Sequence, residues 1–235
     1  LVTGEFTGLA EGATVSDGTN DYVLSYVGDD GNDVVLFAGA AETEVSFAAG
    51  VLTVTDINND SADNLSITYD AFENEYVFTD TALNITTSGL TTSQITRPDA
   101  RTVRVDASIV TSIVAVTANA GGDTQNDTVA IDVNGLPANI GGNVTISAET
   151  INVNSDISSD GDITLNGGSA IAAAQTLTAA NVHLNGTVAL GANNLTVNVS
   201  NGGQSTGGIS GTGGVIKQGA GAWTMNGTGM NANTY

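Results

Sequence analysis

Short triplets made of an aliphatic, a polar and a second aliphatic residue recur at a fixed spacing in this chain. They begin at Val144, Ile163 and Val182, so the three starting positions are equally spaced along the sequence. The alternation within a triplet is typical of a half-buried strand, and the fixed spacing predicts that equivalent strands stack on one another. The sequence therefore predicts a parallel β-solenoid over this region.

Other residues extend the same period. Ile171 and Leu190 have the same separation as the triplets, and a further column is predicted from Ile157, Leu177, Leu195 and Val215. Asn-Gly pairs at 166 and at 185 predict a repeated corner, since Asn and Gly tolerate tight bends. One coil of about 19 residues buries too little apolar surface to offset its backbone entropy. We therefore predict that a coil is stable only when it stacks on neighbouring coils.

The composition favours strands and excludes several classes of partner. The 235 residues include 30 Gly but only two Pro, no Cys and four Lys or Arg. Strand and turn formers dominate, so we expect almost no helix. A net charge of -21 argues against nucleic acid and anionic membranes, which recruit cationic surfaces. No apolar run reaches the roughly 20 residues of a membrane span, so no membrane insertion is expected.

Three parts are predicted along the chain. Residues 1–38 contain two strand-like runs joined by an acidic turn, as in a hairpin that ends a preceding repeat. Residues 39–100 predict an acidic antiparallel β module with strands at 51–55, 65–69 and 76–79, because short turn-rich loops favour antiparallel neighbours. Arg97-Pro98-Asp99 is interpreted as a connector. Residues 101–235 are predicted to form the solenoid, with strands at 102–106, 112–117 and 129–133 as its first coils.

Two segments resemble known bacterial repeats. Residues 6–15 with 22–36 resemble the segment that closes many repeats in very long bacterial surface proteins. Residues 211–227 with Asn233-Thr234-Tyr235 resemble the autotransporter-associated β-strand repeat, although Trp223 and Met225 stand where that family usually has aliphatic residues. The second resemblance implies a right-handed parallel β-helix like that of autotransporter passengers. Together they imply an extracellular or cell-surface location and a chain that is a segment of a larger protein.

The acidic turn in residues 28–36 is the first candidate Ca²⁺ site. It approximates the nonapeptide G-G-x-G-x-D-x-U-x, in which carboxylates and turn carbonyls bind Ca²⁺, and residues 122–127 form a poorer second copy. The predicted ligands are Asp29, Asp30, Asn32 and Asp33. The alternative interpretation is a plain acidic hairpin turn.

A second candidate Ca²⁺ site follows the predicted strand at 51–55. Asp56, Asn58 and Asp60 alternate as at the start of an EF-hand loop, and Asp63 adds a fourth oxygen ligand. The rest of that motif is missing, because Ile67 occupies the position of the bidentate Glu. The alternative is a solvated loop.

One group of acidic residues is a candidate for catalysis. Asp156, Asp160 and Asp162 lie close together in sequence, and paired acids on a β-helix can serve polysaccharide hydrolysis or Ca²⁺-assisted lyase chemistry. A lyase also needs a nearby cationic base, and no Arg follows Arg104. His183 occupies an outward triplet position with no recognisable nucleophile motif. Trp223 could stack on a sugar, but a single Trp at strand period more often packs against a core.

These observations predict a non-enzymatic structural or adhesive segment of a large extracellular bacterial repeat protein, such as an adhesin, stalk or fibre. One alternative is a carbohydrate-active β-helix enzyme that uses the aspartates at 156, 160 and 162. The other is a self-assembling extracellular filament subunit, because open ends of a stack present unpaired strand edges. The expected partners are further copies bound end to end, or a surface glycan or protein.

Overall fold

The computed structural model describes residues 4–29, 33–57, 61–117, 125–132 and 139–226. The fold is all-β, as the composition predicted, and its sheet is mostly parallel. The 21 strands within these ranges are β1 (Thr14–Ser16), β2 (Asp21–Gly28), β3 (Asp33–Ala38), β4 (Ala41–Ala48), β5 (Val51–Asp56), β6 (Asn64–Asp70), β7 (Glu75–Asp80), β8 (Asn84–Ser88), β9 (Ile95–Asp99), β10 (Thr102–Asp106), β11 (Ser112–Val116), β12 (Thr128–Ile131), β13 (Val144–Val153), β14 (Ile157–Ser158), β15 (Asp162–Ile171), β16 (Gln175–Leu184), β17 (Val188–Ala189), β18 (Leu195–Ser205), β19 (Ile209–Ser210), β20 (Val215–Gln218) and β21 (Ala222–Met225). In the same part of the chain, the only helical element is a 3₁₀ turn at Ala107–Ile109.

The N-terminal strands pair mainly in antiparallel fashion. Strand β2 lies between β1 and β3, β4 pairs with β5, and β7 pairs with both β6 and β10. The predicted antiparallel neighbours are therefore confirmed for β6 and β7. Strand β5 instead lies between β4 and the parallel strand β11.

The parallel strands form three ladders in which each strand pairs with the equivalent strand of the next turn of chain. The first ladder contains, in order, Leu52, Ile113, Val144, Ile163, Val182, Gly203 and Trp223. The second contains Leu65, Val129, Ile151, Ser169, Val188 and Ile209. The third contains Ile157, Leu177, Val197 and Lys217. The predicted triplet register at Val144, Ile163 and Val182 is thus confirmed.

One predicted column is corrected. Leu177 pairs with Val197, whereas Leu195 pairs with Gln175. Both registers would bury alternate residues, so periodicity alone could not choose between them. The observed register gives five consecutive pairs between β16 and β18 before the ladder shifts at Ala179.

Two other expectations near residue 100 are also corrected. Residues 102–106 form β10, which is antiparallel to β7 and β9 and is not part of a parallel ladder. Arg97 belongs to β9 and its side chain is fully buried, so it is not in a connector. Strand β11 pairs with β5 on one side and β13 on the other, so parallel pairing crosses position 100. The predicted division of the chain into three parts stays a prediction.

The core lies between the ladders and is filled by alternate residues of each strand. In β15, Ile163 and Leu165 are fully buried while Thr164 between them is partly exposed. Each such aliphatic side chain contributes about 2 kcal/mol through its removal from water. The Asn-Gly corner at 166 lies inside β15, where Gly167 has a φ of 146°. A Cβ at this residue would lie 1.8 Å from the Ala148 carbonyl oxygen, so the close approach of neighbouring backbones requires glycine there.

Candidate metal centre

The first predicted Ca²⁺ turn is only partly within the described ranges. Asp29 has a left-handed φ of 54°, and Asp33 begins β3 opposite Gly28. Asp30 and Asn32 lie outside the described residues. Among the residues that are described, neither Asp29 nor Asp33 joins a group of three potential metal ligands, so this site stays a prediction.

The second predicted site contributes two aspartates to a buried cluster. Asp56 is the last residue of β5 and continues its inward alternation after Leu52 and Val54. Asp63 precedes β6 and continues inward from Leu65, with only 1% of its surface exposed. Asn58 and Asp60, the other predicted ligands of this site, lie outside the described residues.

Asp127 completes the cluster, and the sequence prediction of this site missed it. Its carboxylate and those of Asp56 and Asp63 each offer an oxygen atom, and these three atoms lie within 4.8 Å of one another. Asp127 is fully buried. It meets Asp63, far from it in sequence, because β12 pairs in parallel with β6, with Val129 opposite Leu65. The available signal was the matching pattern of an aspartate two residues before an inward aliphatic residue, at 63 and at 127.

Hydrogen bonds fix the positions of two of these carboxylates. Thr43 donates its hydroxyl to Asp63 Oδ1 at 2.9 Å, and the Asp63 backbone N–H donates to Asp127 Oδ1 at 3.0 Å. The Asp127 backbone N–H in turn donates to a Glu149 carboxylate oxygen at 3.0 Å. The cluster is therefore held by strands β4, β6, β12 and β13.

The surroundings of Asp63 disfavour its ionised form. Burial raises the pKa of the Asp63 carboxyl to about 7, and the negative charges of Asp56, Asp80 and Asp127 act in the same direction. The hydrogen bond from Thr43 opposes this shift only in part. The cluster thus concentrates negative charge where water cannot screen it well.

A buried hydroxyl lies beside the carboxylates. Thr117 follows Val116, which pairs with Thr55 in the parallel ladder, so its register position is opposite Asp56. Its alternation with the inward residues Ile113 and Ala115 directs the side chain into the core, and only 1% of its surface is exposed. Thr117 Oγ1 and Asp63 Oδ2 are both buried without a hydrogen-bond partner among the described residues.

No basic side chain neutralises the cluster. All four Lys and Arg residues of the chain and its one His are described. The Lys and Arg side chains have partners elsewhere: Arg97 contacts Glu11, Arg104 contacts Asp70 and Glu75, Arg101 donates to the Thr81 carbonyl and Lys217 donates to the Gly219 carbonyl. His183 lies in β16, where its backbone pairs opposite Thr164 of β15. Besides the hydrogen bonds to these carboxylates, protons or a bound cation can compensate the charge of the cluster. An all-oxygen set of donors suits a hard cation such as Ca²⁺.

The aspartates considered for catalysis each accept a hydrogen bond from a residue about 20 positions away in sequence. Asp156 accepts a hydrogen bond from the Thr176 backbone N–H at 2.7 Å, and Asp160 and Asp162 accept from the side-chain amides of Asn139 and Asn181, each at 2.7 Å. The three bonds span 20, 21 and 19 residues of sequence, respectively.

The single tryptophan also has a structural contact. Trp223 is partly buried against the core, and its indole N–H donates to the Val182 carbonyl at 3.0 Å. This contact agrees with core packing, the more frequent role of a lone Trp at strand period.

Comparison with known proteins gives no relative to guide the interpretation. No family model, curated protein or solved structure matches the chain. Across the described residues, no helix has the length and apolar character needed to cross a membrane.

Proposed function

We propose that this chain is a non-enzymatic structural segment of a larger extracellular or cell-surface protein, built as a right-handed parallel β-solenoid. The three parallel ladders carry the proposal. The chain returns to the same three strand positions at nearly regular intervals, as between Ile151 and Ser169 or between Val182 and Gly203. A chain of this kind builds a shaft whose length grows with each coil. Reach and rigidity are the properties that such a shaft supplies.

Side chains between coils support a structural role. Asn166 donates to Ser147 Oγ at 2.9 Å and accepts from the Asn185 side-chain amide at 2.9 Å. These bonds run along the stack, 19 residues per step. Each contributes on the order of 1 kcal/mol and fixes the register of one coil on the next.

An extracellular location is supported by the net charge of -21 and by the two sequence resemblances to bacterial surface repeats. Within this proposal the partners are further copies or repeats stacked end to end, or a surface glycan or protein. At the C-terminal end of the ladders, β19, β20 and β21 each pair on one side only among the described residues, and such edges provide backbone groups for pairing. At the other end, β5 and β6 are covered by the antiparallel strands β4 and β7. The filament alternative is the case in which this end-to-end pairing occurs between separate chains.

The enzymatic alternative is tested by activity on polysaccharides. Purified protein is incubated with acidic and neutral glycans, with and without Ca²⁺, and new reducing ends and unsaturated uronates are measured. We expect no turnover, because Asp156, Asp160 and Asp162 are engaged in bonds between coils. Turnover that is lost when Asp160 and Asp162 are both changed to Asn, in a variant with an unaltered circular dichroism spectrum, would overturn the proposal.

A further inference from the structure

We propose that the carboxylates of Asp56, Asp63 and Asp127, together with the Thr117 hydroxyl, bind one Ca²⁺ ion inside the fold. The site lies where β5 ends and where β6 and β12 begin. It shares Asp56 and Asp63 with the second sequence-predicted site and adds Asp127, whose carboxylate is brought to Asp63 across 64 residues of sequence. It also goes beyond the structural role proposed above, which does not require a metal.

The geometry provides the first argument. Three carboxylate oxygens within 4.8 Å of one another can all contact one ion whose bonds to oxygen measure about 2.3–2.6 Å. Ca²⁺ accepts irregular sets of carboxylate, hydroxyl and carbonyl oxygens, whereas Mg²⁺ requires near-octahedral geometry and retains water. Strand ends held by backbone pairing cannot easily adjust to the smaller ion, so the site is expected to prefer Ca²⁺.

The buried oxygens provide an independent argument. A buried polar atom without a partner is rare, because it loses its hydration without compensation. Asp63 Oδ2 and Thr117 Oγ1 are both such atoms among the described residues. Asp63 directly precedes β6, and Thr117 directly follows β11, at the register position opposite Asp56. A cation coordinated there satisfies both atoms at once.

Charge balance provides the third argument. Every Lys and Arg side chain of the protein contacts groups outside the cluster, and His183 lies in β16, paired with β15, so none of these residues is placed to balance the charge of the three carboxylates. Without a cation the ionised carboxylates repel one another, whereas each of them is attracted to a Ca²⁺ ion bound between them. The ion then joins the ends of β5, β6 and β12, which are far apart in sequence.

Calorimetric titration with Ca²⁺ and thermal unfolding test this site. Unfolding is measured in EDTA, in millimolar Ca²⁺ and in millimolar Mg²⁺. We expect one Ca²⁺ per chain and a rise of several degrees in Tm at saturation, with a smaller rise in Mg²⁺. Absence of Ca²⁺ binding, or a rise that Mg²⁺ reproduces in full, would overturn the proposal.

Variants locate the ion. Asp127→Asn removes one charge without changing shape, so it should abolish the Ca²⁺ response while leaving Tm in EDTA unchanged or higher. Thr117→Val should weaken Ca²⁺ affinity roughly tenfold through loss of one oxygen ligand. Asp33→Asn, in the other predicted Ca²⁺ turn, is the matched control and should keep the full response. A Ca²⁺ response retained in Asp127→Asn, or lost in Asp33→Asn, would contradict the assignment.

Discussion

Arg97 and Glu11 form an ion pair in which both side chains are almost completely withdrawn from solvent. The Arg97 Nη1 and Glu11 Oε1 atoms are 3.8 Å apart, with side-chain exposures of 0% and 3%. Arg97 also donates to the Ile85 carbonyl and lies over the Phe37 ring at 5.1 Å, and Glu11 accepts from the Tyr26 backbone N–H at 2.6 Å. The pair therefore joins the β1–β3 hairpin layer to β8 and β9.

Removal of one partner should weaken the packing of β1–β3 against β8 and β9. Arg97→Ala leaves a buried carboxylate without its cation, and such a change costs about 3–5 kcal/mol. We expect urea denaturation to show a loss of this size and hydrogen exchange to quicken in β2. Arg101→Ala, at an exposed arginine, is the control and should change stability by about 0.5 kcal/mol or less. Equal effects of the two substitutions would show that the buried pair is not a structural anchor.

The same pair should make stability depend on pH. Burial raises the pKa of the Glu11 carboxyl above its ordinary value of 4.5, against the lowering effects of its hydrogen bonds and Arg97. The folded state therefore holds this proton at pH values where the unfolded state has lost it. The contribution of Glu11 to stability should fall as pH rises from its ordinary pKa through the raised pKa.

Glu11→Gln isolates this contribution. The free energy of unfolding of the wild type minus that of Glu11→Gln, measured in EDTA across pH, should decrease with rising pH. A difference that stays flat or increases would contradict the raised pKa.

Gly167, Gly186 and Gly207 lie where neighbouring backbone segments approach one another closely. A Cβ at Gly186 would lie 2.1 Å from the Gly167 carbonyl oxygen, and one at Gly207 would lie 1.9 Å from the Gly186 carbonyl oxygen. Gly186→Ala should therefore force adjacent coils apart and cost about 1–3 kcal/mol or more, measured by urea denaturation. Gly141→Ala is the control, because its Cβ would meet nothing within 4 Å. Similar stability of the two variants would mean that the coils are not packed in this way.

The sequence predicted the parts of the fold that depend on local alternation. The triplets at Val144, Ile163 and Val182 predicted both strand positions and register, because one side of each strand is buried and the period is fixed. The Leu177 register could not be predicted, since a shift of two residues preserves the buried face.

Sequence periodicity did not predict the contacts between residues that are far apart in sequence. Asp56 and Asp63 were predicted as metal ligands from local spacing, but the position of Asp127 beside them depends on the pairing of β6 with β12. The similar aspartate–aliphatic pattern at 63 and 127 does not by itself specify that pairing. Arg97 was placed in a connector because Arg-Pro-Asp is typical of loops. Its burial depends on Glu11, which lies before the first strand and far earlier in the sequence.

Disulfide trapping tests the stacking of coils most directly, and the chain offers a clean background because it has no Cys. Thr164 and His183 are paired neighbours on the outer face, about 4.8 Å apart across the ladder, within the range of a disulfide. Thr145 and His183 are two steps apart, about 10 Å, beyond the limit of about 7 Å.

The double variants Thr164→Cys with His183→Cys, and Thr145→Cys with His183→Cys, are oxidised under identical native conditions, and free thiols are counted by mass after maleimide labelling. Rapid oxidation of the first pair alone is the predicted result. Equal oxidation of both pairs, or faster oxidation of the second, would contradict a stack of coils in this register.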